Sequence, residues 1–267
     1  MPIRLHTRQA DFQACFIAFL ADKREAAADV DGQVAGILKQ VRQRGDAAVL
    51  ELTHKYDRVA FDIDELRLPR AALDAAMDQV PAEQISALRH AHERITAYHA
   101  RQLPQDDRFT DEHGIELGHR WTAVAAVGLY VPGGLASYPS SLLMNAIPAK
   151  VAGVPRLAMA VPAPDGKLNP LVLAAAKIAG VDEIYRMGGA QAIGALAYGT
   201  ASIPAVDKIV GPGNAYVATA KRQVFGTVGI EMIAGPSEIL VLADAHNDPA
   251  WIAADLLSQA EHDTAAQ

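Results

Sequence analysis

Glycine-rich turns follow several strand-like runs of this sequence, and polar side chains stand beside them. Three of the turns are Gly128-Leu129-Tyr130-Val131-Pro132-Gly133-Gly134, Gly188-Gly189-Ala190-Gln191 and Gly211-Pro212-Gly213-Asn214. If the runs form a parallel sheet, their carboxyl ends meet at one edge, which is where ligands bind in open α/β sheets. The turns therefore predict a shared ligand-binding crevice.

Tyr130, Gln191 and Asn214 are the polar side chains of these turns. Tyr130 offers a ring for stacking and a hydroxyl, and each amide offers a donor and an acceptor. Such groups can hold the ring, ribose or phosphate of a nucleotide, and the free N–H groups of a helix that starts after Asn214 favour an anion. None of the turns matches the dinucleotide fingerprint G-x-G-x-x-G, and Gln191 and Asn214 could instead be helix caps.

A fourth turn, Gly235-Pro236-Ser237-Glu238, places a hydroxyl and a carboxylate before the apolar run Ile239–Ala243. We predict that this run is a strand, because strand-forming residues follow a turn. Ser237 is then a candidate for holding a small substrate.

The last predicted helix runs from Pro249 to about His262 and carries Gln259 three residues before His262. This spacing puts both side chains on one face, with about 5–6 Å between their Cβ atoms. His is a good zinc ligand and Gln is a rare one, and two ligands do not complete a tetrahedral site. Spacing alone therefore favours an ordinary charged helix end.

The elements that position these residues alternate between strand-like and helix-like runs from Ala123 onward, a pattern typical of β-α units with a parallel sheet. The predicted strands are 124–127, 157–161, 183–187, 208–210 and 229–232. The predicted helices between them are 140–152, 170–179, 190–198 and 215–225. Before Ala123, apolar residues recur at helical spacing, which predicts a mainly helical N-terminal segment.

The length of 267 residues allows one large domain or two ordinary ones, and we favour two. One domain is predicted over residues 128–234. The other is discontinuous and combines residues 1–127 with residues 235–267, because Ile239–Ala243 is expected to pair with the first region.

Charge and hydropathy exclude several classes of protein. The 24 basic and 31 acidic side chains give a formal charge of -7, which argues against binding to nucleic acid through its phosphates. The longest apolar runs are shorter than the roughly 20 residues of a membrane span, and no signal peptide is visible at the N-terminus. A single cysteine, Cys15, cannot form an internal disulfide. We therefore expect a cytoplasmic protein with no nucleic-acid or membrane partner.

The motifs as a set resemble histidinol dehydrogenase. Six stretches occur in that family's order across the chain, and they are Gly128–Gly134, Tyr138–Ala149, Gly188–Thr200, Lys208–Asn214, Ala234–Glu238 and Leu256–Asp263. The resemblance implies an α/β protein with two incomplete Rossmann-like domains, mostly parallel sheets and a helical N-terminal segment. It also implies a zinc-containing, NAD-dependent homodimer with a shared active site. Its reaction oxidises L-histidinol through the aldehyde to L-histidine, with two hydride transfers.

The resemblance also implies roles for individual residues. The expected NAD contacts are Tyr130, Gln191 and Asn214. Ser237 is an expected substrate contact, and Gln259 and His262 are expected zinc ligands that also lie against the substrate. Zinc would hold the imidazole and amine of histidinol, so the resemblance reverses the interpretation of Gln259 that spacing alone favours.

The sequence ends at Gln267, about three-fifths of the way along the family's length. The family's Glu-His acid–base pair, two further zinc ligands and a segment that reaches the partner subunit's site are expected beyond that point. No catalytic residue is therefore expected within this chain. Two alternatives stay open: a catalytically inactive fragment that keeps a nucleotide-binding lobe, and a zinc-dependent hydrolase, although the sequence contains no H-E-x-x-H.

Overall fold

The computed structural model describes residues 5–133, 138–233 and 239–260, with the side chains of residues 20–28 and of Gln259 left outside the description. The chain divides into two compact units, one up to Glu231 and one from Met232 onward.

Five helices precede the sheet of the first unit. They are α1 (Phe12–Arg44), α2 (Asp46–Asp57), α3 (Ile63–Leu66), α4 (Arg70–Gln79) and α5 (Ala82–Ala100). Gly45 separates α1 from α2 because its φ of 55° suits glycine, and its N–H donates to the carbonyl of Val41. The prediction of a mainly helical N-terminal segment is confirmed.

A five-stranded parallel sheet forms the centre of the first unit. Its strands are β3 (Ala126–Tyr130), β4 (Arg156–Val161), β5 (Glu183–Arg186), β6 (Lys208–Val210) and β7 (Gly229–Ile230), after a separate antiparallel hairpin of β1 (Asp107–Thr110) and β2 (Glu116–His119). The order across the sheet is β5-β4-β3-β6-β7. The predicted α/β fold with a parallel sheet is confirmed.

Helices cover both faces of this sheet. The crossover helices are α6 (Pro139–Val151), α7 (Pro170–Ala179), α8 (Gly189–Tyr198) and α9 (Ala215–Val224). Alternate residues of β3 face opposite layers: Leu129 packs with α4 to α7, whereas Tyr130 packs with α1, α2, α8 and α9. Because both faces are covered, the strands are buried and apolar, as parallel strands usually are.

The position of β3 differs from the predicted strand at residues 124–127. Gly128, interpreted from the sequence as part of a turn, lies inside the strand. A Cβ at this position would come within 3.1 Å of side-chain atoms of Leu196 and Val206. Glycine is present because α8 and a neighbouring loop approach the strand closely, and no turn is formed there.

The second unit contains α10 (Pro249–Ala260), which begins as predicted after Asp248, whose Oδ1 accepts a hydrogen bond from the N–H of Ala250 at 2.8 Å. The prediction of a strand at Ile239–Ala243 is wrong, because these residues have no regular secondary structure. A strand needs a neighbour for its N–H and C=O groups, and no described residue pairs with this run. Leu242 is accordingly 95% exposed.

The predicted pairing of residues 1–127 with residues 235–267 in one domain stays a prediction, since part of that range lies outside the described residues. In the part of the chain that is described, no helix combines the length and the apolar character needed to cross a membrane.

Candidate functional site

The sheet has a topological switch point between β3 and β6. From β3 the chain passes through α6 to β4 on one side, and β6 lies on the other side, paired with β3 at Leu129 and Val210. The connections leave the two strand ends in opposite directions, which opens a crevice at the carboxyl edge of the sheet. The three predicted turns lie at this edge.

Tyr130, the last residue of β3, joins the end of that strand to the start of α8. Its side chain is buried, and its hydroxyl accepts a hydrogen bond from the N–H of Gly189 at 3.1 Å. The pKa of Tyr130 is raised to about 12, mainly by burial; the charge of Asp57 contributes to this rise, and the Gly189 bond opposes it. The group therefore stays a neutral hydroxyl that can donate its hydrogen to a ligand.

Gln191 lies in the first turn of α8 and is only 2% exposed. The structure gives its amide no hydrogen bond to another described residue. Its Oε1 folds back over the start of α8, because it lies 2.8 Å from the position that a Cβ of residue 189 would occupy. The amide atoms do not belong to the fully buried, unpaired side-chain atoms of the described residues. The amide thus keeps a path to solvent at the sheet edge and is available to a ligand. Gln191 is not a helix cap.

Asn214 precedes α9 and is its N-cap, since its Oδ1 accepts a hydrogen bond from the N–H of Val217 at 3.1 Å. The cap interpretation is therefore confirmed for this residue. Capping uses only the amide oxygen, so the amide nitrogen keeps two donors. The first N–H groups of α9 have no partners within the helix and favour an anion.

Lys221 and Glu231 fix the turn after β6, and sequence reasoning missed both. The buried Nζ of Lys221 donates to the carbonyl of Gly211 at 3.0 Å and to Glu231, and Glu231 accepts from the N–H of Gly211 at 2.9 Å. A Cβ at Gly211 would lie 2.1 Å from the carbonyl oxygen of Tyr130. The pair therefore holds the turn against the end of β3. One signal was available, since Lys221 interrupts the buried stripe of α9 between Val217 and Val224.

Asp57 brings a buried carboxylate to the same edge of the sheet. Its Oδ2 accepts a hydrogen bond from the N–H of Ala163, which follows β4, at 3.3 Å. Burial raises the pKa of Asp57, while the N–H of Ala163 and the charge of Arg58 lower it. The sequence carries no signal for this residue, because its partner lies 106 positions away.

Together these groups suit a ligand that carries phosphates and hydroxyls. A hydroxyl, two amides and the starts of α8 and α9 supply donors, and Asp57 supplies a buried acceptor. The ends of β3, β4 and β5 approach closely at Pro162, where a Cβ at Gly188 or Gly133 would lie 2.7 or 3.1 Å from its ring. A dinucleotide fits this donor set.

Three of the predicted site residues lie wholly or partly outside the described residues. Ser237 and His262 lie outside the described residues, as does the side chain of Gln259. Over residues 5–133, 138–233 and 239–260, no group of three or more His, Cys, Asp or Glu side chains is arranged to hold a metal ion. The zinc ligands and the substrate contact stay predictions.

The chain is similar to known proteins of one family. The family profile of histidinol dehydrogenase matches residues 20–267. Histidinol dehydrogenases from Ruegeria pomeroyi and Rhodospirillum rubrum are 66% and 63% identical over 267 residues, which is 100% of this chain and 62% of each relative. The chain thus spans less than two thirds of their length.

A solved structure gives the same result. The crystal structure of histidinol dehydrogenase from Elizabethkingia anophelis superposes with a TM-score of 0.80 at 37% identity, over 86% of this chain and 53% of that one. The motifs, the sheet and these comparisons agree, and the chain belongs to the histidinol dehydrogenase family.

Proposed function

We propose that this chain serves the NAD-dependent oxidation of L-histidinol through L-histidinaldehyde to L-histidine, a step of histidine biosynthesis in the cytoplasm. The observation that carries the proposal is the buried amide of Gln191, which has no described partner at the switch point of a sheet in this family. The zinc-dependent hydrolase alternative is not favoured by the family match.

The carboxyl edge of the sheet is the proposed NAD site, and the nicotinamide of NAD accepts the hydride in such reactions. Tyr130 donates its hydroxyl hydrogen, and the amide of the nearly buried Gln191 offers both a donor and an acceptor. Asn214 caps α9 through its amide oxygen and offers its amide nitrogen to the pyrophosphate, beside the N–H groups of the first turn that the cap does not use. The protein's own contribution is binding, orientation and exclusion of water.

Substrate binding is assigned to the second unit by its motifs. Ser237 would contact histidinol, and Gln259 and His262 would hold a zinc ion. When bound, zinc would supply a Lewis-acidic centre for the imidazole and amine. Acid–base catalysis needs a group within hydrogen-bond reach of the hydroxyl proton. We assign that group, and further zinc ligands, to the part of the family's length beyond residue 267, in a homodimer with a shared active site.

Calorimetric titration of the chain with NAD tests the binding site. The substitution Gln191→Leu keeps the size of the side chain and removes the amide, so the affinity for NAD should fall about tenfold or more. The melting temperature should not fall, because no described hydrogen bond is lost. Gln43→Leu, at an exposed position of α1 whose side chain makes no hydrogen bond to a described residue, is the matched control. Unchanged affinity in Gln191→Leu, or no binding by the parent chain, contradicts the proposal.

Zinc content and turnover test the second unit. His262→Ala should lower the zinc retained after gel filtration, measured by mass spectrometry, whereas the exposed His246→Ala should not. Turnover is measured as nicotinamide reduction with L-histidinol, two equivalents for each histidinol. Equal zinc retention in both variants contradicts the ligand assignment. Binding of NAD without turnover identifies the inactive fragment.

A further inference from the structure

Asp57 ends α2, yet its carboxylate lies at the end of a strand that comes about a hundred residues later. The residue is only 6% exposed, and its Oδ2 accepts a hydrogen bond from the N–H of Ala163 at 3.3 Å. Ala163 is two residues beyond the last residue of β4. The N-terminal helical segment thus delivers an acidic group to the carboxyl edge of the sheet.

The carboxylate is close to the crevice. β4 is the neighbour of β3 in the sheet, and the charge of Asp57 acts on the hydroxyl of Tyr130 at the end of β3. Pro162, which separates β4 from Ala163, is the residue against which the turns after β3 and β5 pack at Gly133 and Gly188. The acidic group and the Tyr130 hydroxyl therefore belong to one edge.

In dinucleotide-binding sheets, an acidic side chain at the end of the second strand accepts hydrogen bonds from the adenosine ribose. β4 is the second strand of the β3-α6-β4 unit, and the first acidic residue after it is Asp165. That carboxylate is exposed and engaged by the guanidinium of Arg58 at 2.9 and 2.8 Å. Because its carboxylate is held by Arg58 at the surface, Asp165 does not supply the acceptor for the ribose hydroxyls.

The carboxylate of Asp57 is placed to act as the acceptor for the ribose hydroxyls. One carboxylate oxygen binds Ala163, and no described residue is hydrogen-bonded to the other. No Lys or Arg side chain of the described residues forms an ion pair with it, since Arg58 is paired with Asp165. A buried carboxylate without an ion-pair partner costs stability, and burial raises its pKa. Such a cost is typical of a group kept for a ligand.

We propose that Asp57 accepts the ribose hydroxyls of the adenosine half of NAD and selects NAD against NADP, whose 2′-phosphate it would repel. The proposal rests on the function proposed above. It assigns a specificity-determining role to a residue of the N-terminal helices, outside the glycine-rich turns.

The test uses two ligands that undergo no redox chemistry, ADP-ribose and 2′-phospho-ADP-ribose, titrated calorimetrically into the same protein. The parent chain should bind ADP-ribose about a hundredfold more tightly. Asp57→Asn keeps an oxygen for the N–H of Ala163 and removes the charge, so the ratio should fall to about tenfold or less. Asp165→Asn, which removes a nearby exposed carboxylate, should leave the ratio unchanged.

The outcomes separate the two proposals. If the parent chain binds neither ligand, the nucleotide site itself is wrong. If it binds ADP-ribose selectively and Asp57→Asn keeps the ratio, or weakens both ligands equally with a lower melting temperature, Asp57 is only a structural tether and the inference is overturned. Asp57→Ser, with a smaller neutral side chain, gives the same ratio measurement should the Asn variant not fold.

Discussion

Strand β3, which ends at the carboxyl edge of the sheet, and the run Ile239–Ala243 are built from the same kinds of residue. Strand β3 is buried, whereas the run is mostly exposed. Leu129 of β3 is fully buried between strands and helices, whereas Leu242 is 95% exposed. Both runs are apolar and strand-like in sequence. The difference shows that β propensity measures how well a side chain fits a pleated sheet surface. A strand forms only where a neighbouring strand pairs with its backbone N–H and C=O groups.

The largest expected effect concerns the crowding at the sheet edge. Gly211→Ala should reduce the free energy of unfolding by more than about 4 kcal/mol, since φ is 115° and the new Cβ would meet the carbonyl of Tyr130 at 2.1 Å. Gly226→Ala is the control, because φ is also positive, 99°, with no atom within 4 Å. It should cost only about 1–2 kcal/mol. Chemical denaturation measures both, and equal costs would show that crowding at the edge is unimportant.

A direct comparison of the two runs uses the same substitution in each. Leu129→Ala should cost about 3–4 kcal/mol, because it leaves a cavity between the sheet and its helices. Leu242→Ala should stay within about 0.5 kcal/mol, since its side chain is already exposed. Urea denaturation followed by circular dichroism gives both values. A large loss at Leu242 would show that the run packs against a surface in solution.

The ion pair at the turn after β6 gives a smaller effect. Lys221→Met removes the donor to the carbonyl of Gly211 and leaves Glu231 without its cationic partner, bound by the N–H of Gly211. The expected cost is about 1–3 kcal/mol, with a weaker affinity for NAD, because the turn before α9 loosens. Lys177→Met breaks the exposed pair with Asp74 and should cost at most about 0.5 kcal/mol. If both variants lost the same free energy of unfolding, burial of Lys221 would not strengthen its contribution to stability.

Sequence reasoning succeeded where local chemistry decides the structure. The helix predicted at residues 170–179 has those bounds because Asn169 caps its start, accepting from the N–H of Leu171, and Gly180 ends it with φ of 72°. The edge location of Tyr130, Gln191 and Asn214 follows from the alternation of strands and helices. These features depend on residues close together in the sequence.

It failed where distant contacts decide. Gly128 looks like a turn residue, and only the packing of Leu196 and Val206 shows why it lies in a strand. Asp57 reaches Ala163 across 106 positions, so no spacing could reveal it. The run Ile239–Ala243 has a strand-like sequence but forms no strand, because no described strand lies beside it to pair with its backbone.

The smallest effect isolates one buried hydroxyl at the sheet edge. The folded state raises the pKa of Tyr130 from 10.0 to about 12, so its contribution to stability is full below about pH 10 and is lost as the pH rises through about 12. Tyr130→Phe should therefore be less sensitive to alkali than the parent chain between these values, by at most about 1.4 kcal/mol for each pH unit. Denaturation midpoints at several pH values measure the difference, with the exposed Tyr98→Phe as control. Parallel curves for the parent chain and Tyr130→Phe would mean that the hydroxyl is accessible to water, and the edge would then be open before any ligand binds.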